Sequence, residues 1–114
     1  IGDIGNIVIK DRKLMSKNGI LIVIANIDIT KKELLTKPAI TTRGYILVNE
    51  NEELLKAIEL KAQDIINHKL KDKTINFNDL KNEIIASLMP FLIEKTGRSP
   101  IILPILMDVK KKEA

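Results

Sequence analysis

The sequence predicts an α+β domain in which a small three- to four-stranded sheet is faced by two α-helices, preceded by a lead-in helix or linker, in the order α-β-β-α-α-β. Three observations predict it. Two almost wholly apolar runs, Ile20 to Ala25 and Ile101 to Met107, lie near the two ends of the chain and have the composition of buried strands. Between them, two long segments carry apolar residues at helical spacing. Asparagine and glycine stand where helix caps are needed, at Asn51, at Asn76 or Asn78, and at Gly97.

The first segment, Asp3 to Ser16, places Ile4, Ile7, Val8, Leu14 and Met15 at helical spacing, with Asp3 able to cap it and Asn18-Gly19 able to stop it. Lys10, Arg12, Lys13 and Lys17 decorate this lead-in as a solvated basic face. The first strand begins at Ile20, and Asn26-Ile27-Asp28-Ile29 alternates as a strand does on emerging from a core. After a polar Thr30-Lys31-Lys32 turn, Glu33 to Thr36 and Thr42 to Val48 form a second extended stretch, interrupted at Pro38. Proline donates no ladder hydrogen bond and belongs at edges and bulges. Gly44, beside Arg43, suits a bulge or a close backbone approach.

A helix from about Glu52 to Leu70 gathers Leu54, Leu55, Ile58, Ala62, Ile65, Ile66 and Leu70 on one face, with Leu60 on the other. A second helix runs to about Thr96 and is closed by Gly97, with Pro90 expected to kink it. Its apolar arc is wide. Leu80, Ile84, Leu88 and Phe91 form one edge, and Ile85, Met89 and Ile93 a second, turned about 100° away. Either this helix is wedged deep in its own core, or the second edge meets another subunit, with Leu60 at an interface as well. The last strand contains Pro104 and is therefore expected near a sheet edge or broken by a bulge.

Composition bounds the function. With 114 residues, 45% hydrophobic and 30% charged, the chain holds one folded domain: a lead-in over residues 1–18, the α+β domain over 19–109 and a basic tail over 110–114. No apolar run approaches the roughly 18 to 20 residues of a bilayer span, and the absence of cysteine fits a reducing, cytoplasmic setting. The start at Ile1, without methionine, suggests a piece of a longer protein. The formal charge of +4 permits weak attraction to polyanions, and the Lys110-Lys111-Lys112 run reads as a solvated tail.

Both apolar strands are hydrophobic at both parities, as strands covered on two faces are. Two helices cover one face, so the other needs the lead-in, the rest of a parent protein, or a second copy. Chemistry for catalysis is missing. The single imidazole, His68, cannot build a hydrolytic metal site, which needs several convergent ligands, and no Gly-rich phosphate loop occurs. Tyr45, Phe77 and Phe91 are too few for an aromatic RNA-binding platform.

Three stretches resemble the end of the ribonuclease J family. Asp3 to Ser16 with Gly19 is similar to the segment entering that family's C-terminal domain. Thr42-Arg43-Gly44-Tyr45 is similar to its Ser/Thr-Arg-Gly-Phe/Tyr motif, and Phe91 to Pro104 to its closing helix-to-strand passage. One departure is Lys37-Pro38-Ala39, where the family commonly reads Gly-Pro-Asp. The resemblance implies a three-stranded sheet faced by two helices, attached to the catalytic modules of a metal-dependent RNA-processing nuclease of the metallo-β-lactamase and β-CASP group. It implies a contribution to dimers or tetramers, with itself or a paralogue, and to full activity on RNA. The zinc of such enzymes belongs to the upstream modules, so this chain is expected to carry no catalytic residue, metal site or cofactor of its own. The residues singled out are Ile85, Met89, Ile93 and Leu60 for an oligomer interface, and Gly44, Gly97 and Pro104 for structure. The alternative is a small RNA-binding accessory module using Lys10, Arg12, Lys13, Arg43, Arg98 and the tail.

Overall fold

The computed structural model describes residues 18–44 and 51–112. Strands β1 (Ile20–Asp28), β2 (Glu33–Leu34) and β3 (Ala39–Arg43) are followed by helices α1 (Glu52–Lys69) and α2 (Phe77–Thr96) and by strand β4 (Ile101–Asp108). The α+β class, the two-helix layer and the element order from β1 onward agree with the sequence reading. The expected lead-in helix falls on residues 1–17, outside the described residues.

β1 is the central strand. β4 pairs with it in parallel along its length, from Ile20↔Ile101 to Ile27↔Asp108. On the other side, β3 runs antiparallel to the first half of β1 and β2 to its end. Between the Ile24↔Ala39 and Ile27↔Leu34 pairs, the β2–β3 lane carries two more residues than β1 does. That excess is a bulge containing Pro38, placed where a missing N–H costs no ladder bond. The Leu35 amide still donates to the Asn26 carbonyl at 2.9 Å. The sheet therefore has four strands in three lanes. Its second stretch resumes at Ala39, earlier than the expected Thr42, because the weakly apolar Ala39 to Arg43 pairs with β1. The more hydrophobic residues 45–48, which drew the expectation, lie outside the described residues.

Both helices are capped by their own sequence. Asn51 Oδ1 accepts from the Leu54 amide at 3.0 Å, and Glu52 and Glu53 follow in the first turn with His68 and Lys69 in the last, charges that suit the helix dipole. Of the two possible caps for α2, Asn76 serves, accepting from the Asp79 amide at 2.8 Å. Gly97 ends α2 in the left-handed region with φ 71°, its amide donating to the Ile93 carbonyl at 2.7 Å. Helix α2 runs on across Pro90, which lies on the exposed side. Pro90 removes the usual donor to the Ala86 carbonyl, and Ala86 is itself an exposed residue.

The core lies between sheet and helices. Leu21, Val23, Ala25 and Ile27 of β1 are buried against Ile58, Ala62 and Ile66 of α1 and Leu80, Ile84, Leu88 and Leu92 of α2. Each fully buried leucine or isoleucine stabilises by about 1.5–3 kcal/mol relative to exposure. Helix α1 packs toward β2 and β3, and α2 toward β4.

Candidate interaction surfaces

The register of β1 and β4 sorts their side chains onto two faces. Leu21, Val23, Ala25 and Ile27 of β1 and Ile102 and Leu106 of β4 join the helix-covered core. The other face carries Ile20, Ile22 and Ile24 of β1 beside Ile101, Leu103, Ile105 and Met107 of β4. These β1 isoleucines are only half-buried, and Ile105 and Met107 are 38% and 48% exposed. Among the described residues no helix lies on this face. The sequence pattern of apolar residues at both parities thus has a physical counterpart, an apolar sheet surface that the described residues leave partly exposed.

Among the described residues β4 pairs with β1 alone and forms an edge of this sheet. Its Ile101 amide donates to the Gly19 carbonyl and its Val109 amide to the Ile27 carbonyl, each at 3.0 Å. A parallel ladder uses every second residue of a strand, so odd positions bond to β1 and even positions face outward. Pro104 is even. Its missing N–H costs nothing inward and removes a donor from the exposed edge, which discourages further strand addition.

The second edge of α2 is where helical geometry expects it. The flank of α2 toward α1 carries Glu83, Ser87 and Phe91: Glu83 and Ser87 line the inter-helix cleft, and the Phe91 ring lies 5.8 Å from Lys61 Nζ. Ile85, Met89 and Ile93 occupy the opposite flank; Met89 packs partly on the core, while Ile85 and Ile93 stay exposed. Leu60, 56% exposed on the outer face of α1, belongs to a different surface. The structure therefore does not bring the four residues into one patch.

The cleft between the helices, about 460 Å³, is lined by Lys61, Asp64, His68, Lys71, Glu83 and Ser87 among others. Most of its lining side chains are polar or charged, though its surface is mixed, and the Ser87 hydroxyl donates to Glu83. Among the described residues no three His, Cys, Asp or Glu side chains are grouped to hold a metal ion, so this set does not fit a hydrolytic zinc centre. Phe77 and Phe91 are partly buried and pack against the core, with Lys61 and Lys95 Nζ over the Phe91 ring, and Tyr45 lies outside the described residues.

Of the basic candidates, Lys10, Arg12 and Lys13 are outside the described residues. Arg43 pairs with Ile20 at one end of β1, and Arg98 precedes Ile101, which pairs with the same residue; the two arginines share one end of the domain. Gly44 adopts φ 71°, a region open to glycine and costly for β-branched residues.

The opposite end holds a cluster that sequence reasoning missed. Asp28, buried at the end of β1, accepts from the Lys31 amide through Oδ1 at 3.1 Å and from the Lys111 amide through Oδ2 at 2.9 Å. These two backbone donors, that of Lys111 foremost, hold its carboxyl below the ordinary range. Lys111 Nζ pairs with Glu33 at 2.9 Å and Lys110 Nζ donates to Thr30 at 2.9 Å. The stretch after β4 is thus strapped to the β1–β2 turn rather than trailing as a free tail. An Asp three residues before a turn amide is a recognisable turn signal, but nothing local announces the partner at position 111.

The fold and its surfaces define a small α+β module that offers contact faces and, among the described residues, no grouped metal ligands. Residues 7–109 match the model of the ribonuclease J C-terminal domain, and the chain belongs to that family. It is 41% identical over 109 residues to ribonuclease J2 of Bacillus subtilis, an alignment covering 96% of this chain and 20% of the relative. It is 35% identical to ribonuclease J 2 of Staphylococcus epidermidis and 34% identical to that of Staphylococcus aureus, with the same coverage. The chain thus spans about a fifth of the length of these curated relatives. Among the described residues no helix is long and apolar enough to cross a membrane.

Proposed function

We propose that this chain is the non-catalytic C-terminal domain of a cytoplasmic, metal-dependent ribonuclease J, and that it supports assembly and activity of the parent RNA-degrading enzyme. RNA is the parent's substrate, and the zinc centre lies in upstream modules. The observation that carries the assembly role is the apolar sheet face of β1 and β4, whose isoleucines stand half-buried or exposed. The occupant we assign is the same face of a second copy. A two-fold axis makes such a face self-complementary, and sheets pack face to face at about 10 Å. Ile85 and Ile93 offer two exposed residues on one helix flank, too narrow to be the main contact. They fit the rim of a contact or a site for the catalytic modules of the same parent.

The test is the parent enzyme carrying Ile105→Glu. A carboxylate placed in an apolar isologous interface appears twice and is desolvated, which weakens association by on the order of several kcal/mol. The variant is expected to dissociate on size-exclusion chromatography with light scattering and to lose ribonuclease activity in parallel, while its circular dichroism spectrum stays that of the folded protein; its melting temperature falls only by what dimerisation contributed. Unchanged assembly with unchanged activity would overturn the reading.

A further inference from the structure

Three segments distant in sequence meet at the end of the domain away from Gly19. They are the β1–β2 turn (residues 28–33), the α1–α2 linker (69–74) and the stretch from Asp108 to Lys112. Lys32 Nζ donates to the carbonyls of Asp72 at 2.5 Å and Lys73 at 2.7 Å, joining turn to linker. The Asp28 clasp and the Lys111–Glu33 pair join the last stretch to the same turn.

This junction concentrates the charge of the molecule. The three segments hold eight lysines and four acids, a net +4, which equals the formal charge of the entire chain. The rest of the domain is balanced. Three of the four acids are engaged within the junction: Asp28 by two amides, Glu33 by Lys111, and Asp72 by Lys69 at 2.9 Å. Lys71, Lys73 and Lys112 are exposed, and among the described residues no hydrogen bond or ion pair engages their ammonium groups.

We propose that this lysine-rich junction is a surface for the phosphate backbone of RNA. Lysines are depleted at the centres of protein–protein interfaces, whereas flexible point charges suit a line of phosphates. None of the three segments contains an aromatic residue or an arginine, so neither base stacking nor bidentate base readout is available and binding is independent of sequence. The site also differs in place from Arg43 and Arg98. It lies at the far end of the nine-residue β1, about 25 Å away at ~3.3 Å per residue. The inference rests on the ribonuclease reading only for the choice of RNA over another polyanion.

The experiment is fluorescence anisotropy of a labelled single-stranded 20-nucleotide RNA with the 114-residue chain at 50 and 200 mM KCl. With three to four phosphates neutralised, affinity should fall roughly 20- to 50-fold between the two salts. The triple substitution Lys71→Glu, Lys73→Glu and Lys112→Glu should lower affinity at least tenfold at 50 mM and flatten the salt slope, while Arg43→Glu stays within threefold of wild type. Circular dichroism melts check folding, and the Lys→Gln triple replaces the Glu triple if the latter melts early. Undiminished binding by the triple variant, loss through Arg43→Glu instead, or competition by poly-glutamate as effective as by RNA each overturns the proposal. Light scattering on the same samples separates it from the assembly reading, because the three lysines lie off the apolar sheet face.

Discussion

Gly19→Ala is expected to be among the most damaging single-methyl additions in the domain, and its cost follows from the geometry. Gly19 has φ 85°, and a Cβ there would meet the Arg43 carbonyl oxygen at 2.7 Å and the Gly44 carbonyl carbon and oxygen at 2.7 and 2.8 Å. All three are backbone atoms, so no side-chain rotation relieves the clash; β1 and the end of β3 must separate. Gly97 provides the control. It shares a left-handed φ of 71°, yet nothing lies within 4 Å of its added Cβ. Gly97→Ala should therefore cost only the conformational penalty, about 1 kcal/mol. Gly19→Ala adds an overpacking penalty of about 1–3 kcal/mol to a similar penalty, for roughly 2–4 kcal/mol. Against a typical stability of about 5–15 kcal/mol, that is a large fraction. Urea denaturation with linear extrapolation measures both variants. The reasoning fails if the two variants fall within about 0.5 kcal/mol of each other.

Two other outcomes follow from the sheet and its clasp. Pro104→Ala should change stability by less than about 1 kcal/mol, because position 104 faces outward, whereas Leu103→Pro breaks an inward ladder bond and should cost about 3 kcal/mol or more; equal costs in urea melts would mean that the β1–β4 register is wrong. Asp28 has its folded-state carboxyl below the ordinary value of 3.8, so its contribution is present above about pH 4 and is lost as pH falls through the lower folded value. Wild type should lose denaturant resistance more steeply than Asp28→Asn between pH 5 and pH 2, and hydrogen exchange at the Lys111 amide should quicken in that variant; parallel acid profiles would remove Asp28 from this role.

Much of this fold is legible from local chemistry. Asn51, Asn76 and Gly97 set helix boundaries through single hydrogen bonds or a left-handed φ, which a sequence shows directly. Pro104 marked an edge strand, and the double parity of Ile20 to Ala25 marked a sheet with a second face to fill. What stayed hidden depends on pairing across the chain. The start of β3 at Ala39 is imposed by β1 and not by the weak alternation of Ala39 to Arg43. The strap from Lys111 to Asp28 joins residues 83 apart, and the shared end of Arg43 and Arg98 arises only once β3 and β4 flank β1. Lys110 to Lys112 are exposed, as a solvated run is, but their place beside the turn and linker lysines depends on the same long-range pairing.

Closure of the apolar face of β1 and β4 by a second copy of the domain is the assembly proposed above. Light scattering of the 114-residue chain across concentration, wild type beside Ile105→Glu, tests it most directly. The expected wild-type mass rises to that of a dimer with concentration, and the variant stays monomeric with the circular dichroism spectrum of the folded domain. A wild-type chain that remains monomeric at every concentration, or a variant that assembles as wild type does, would contradict it.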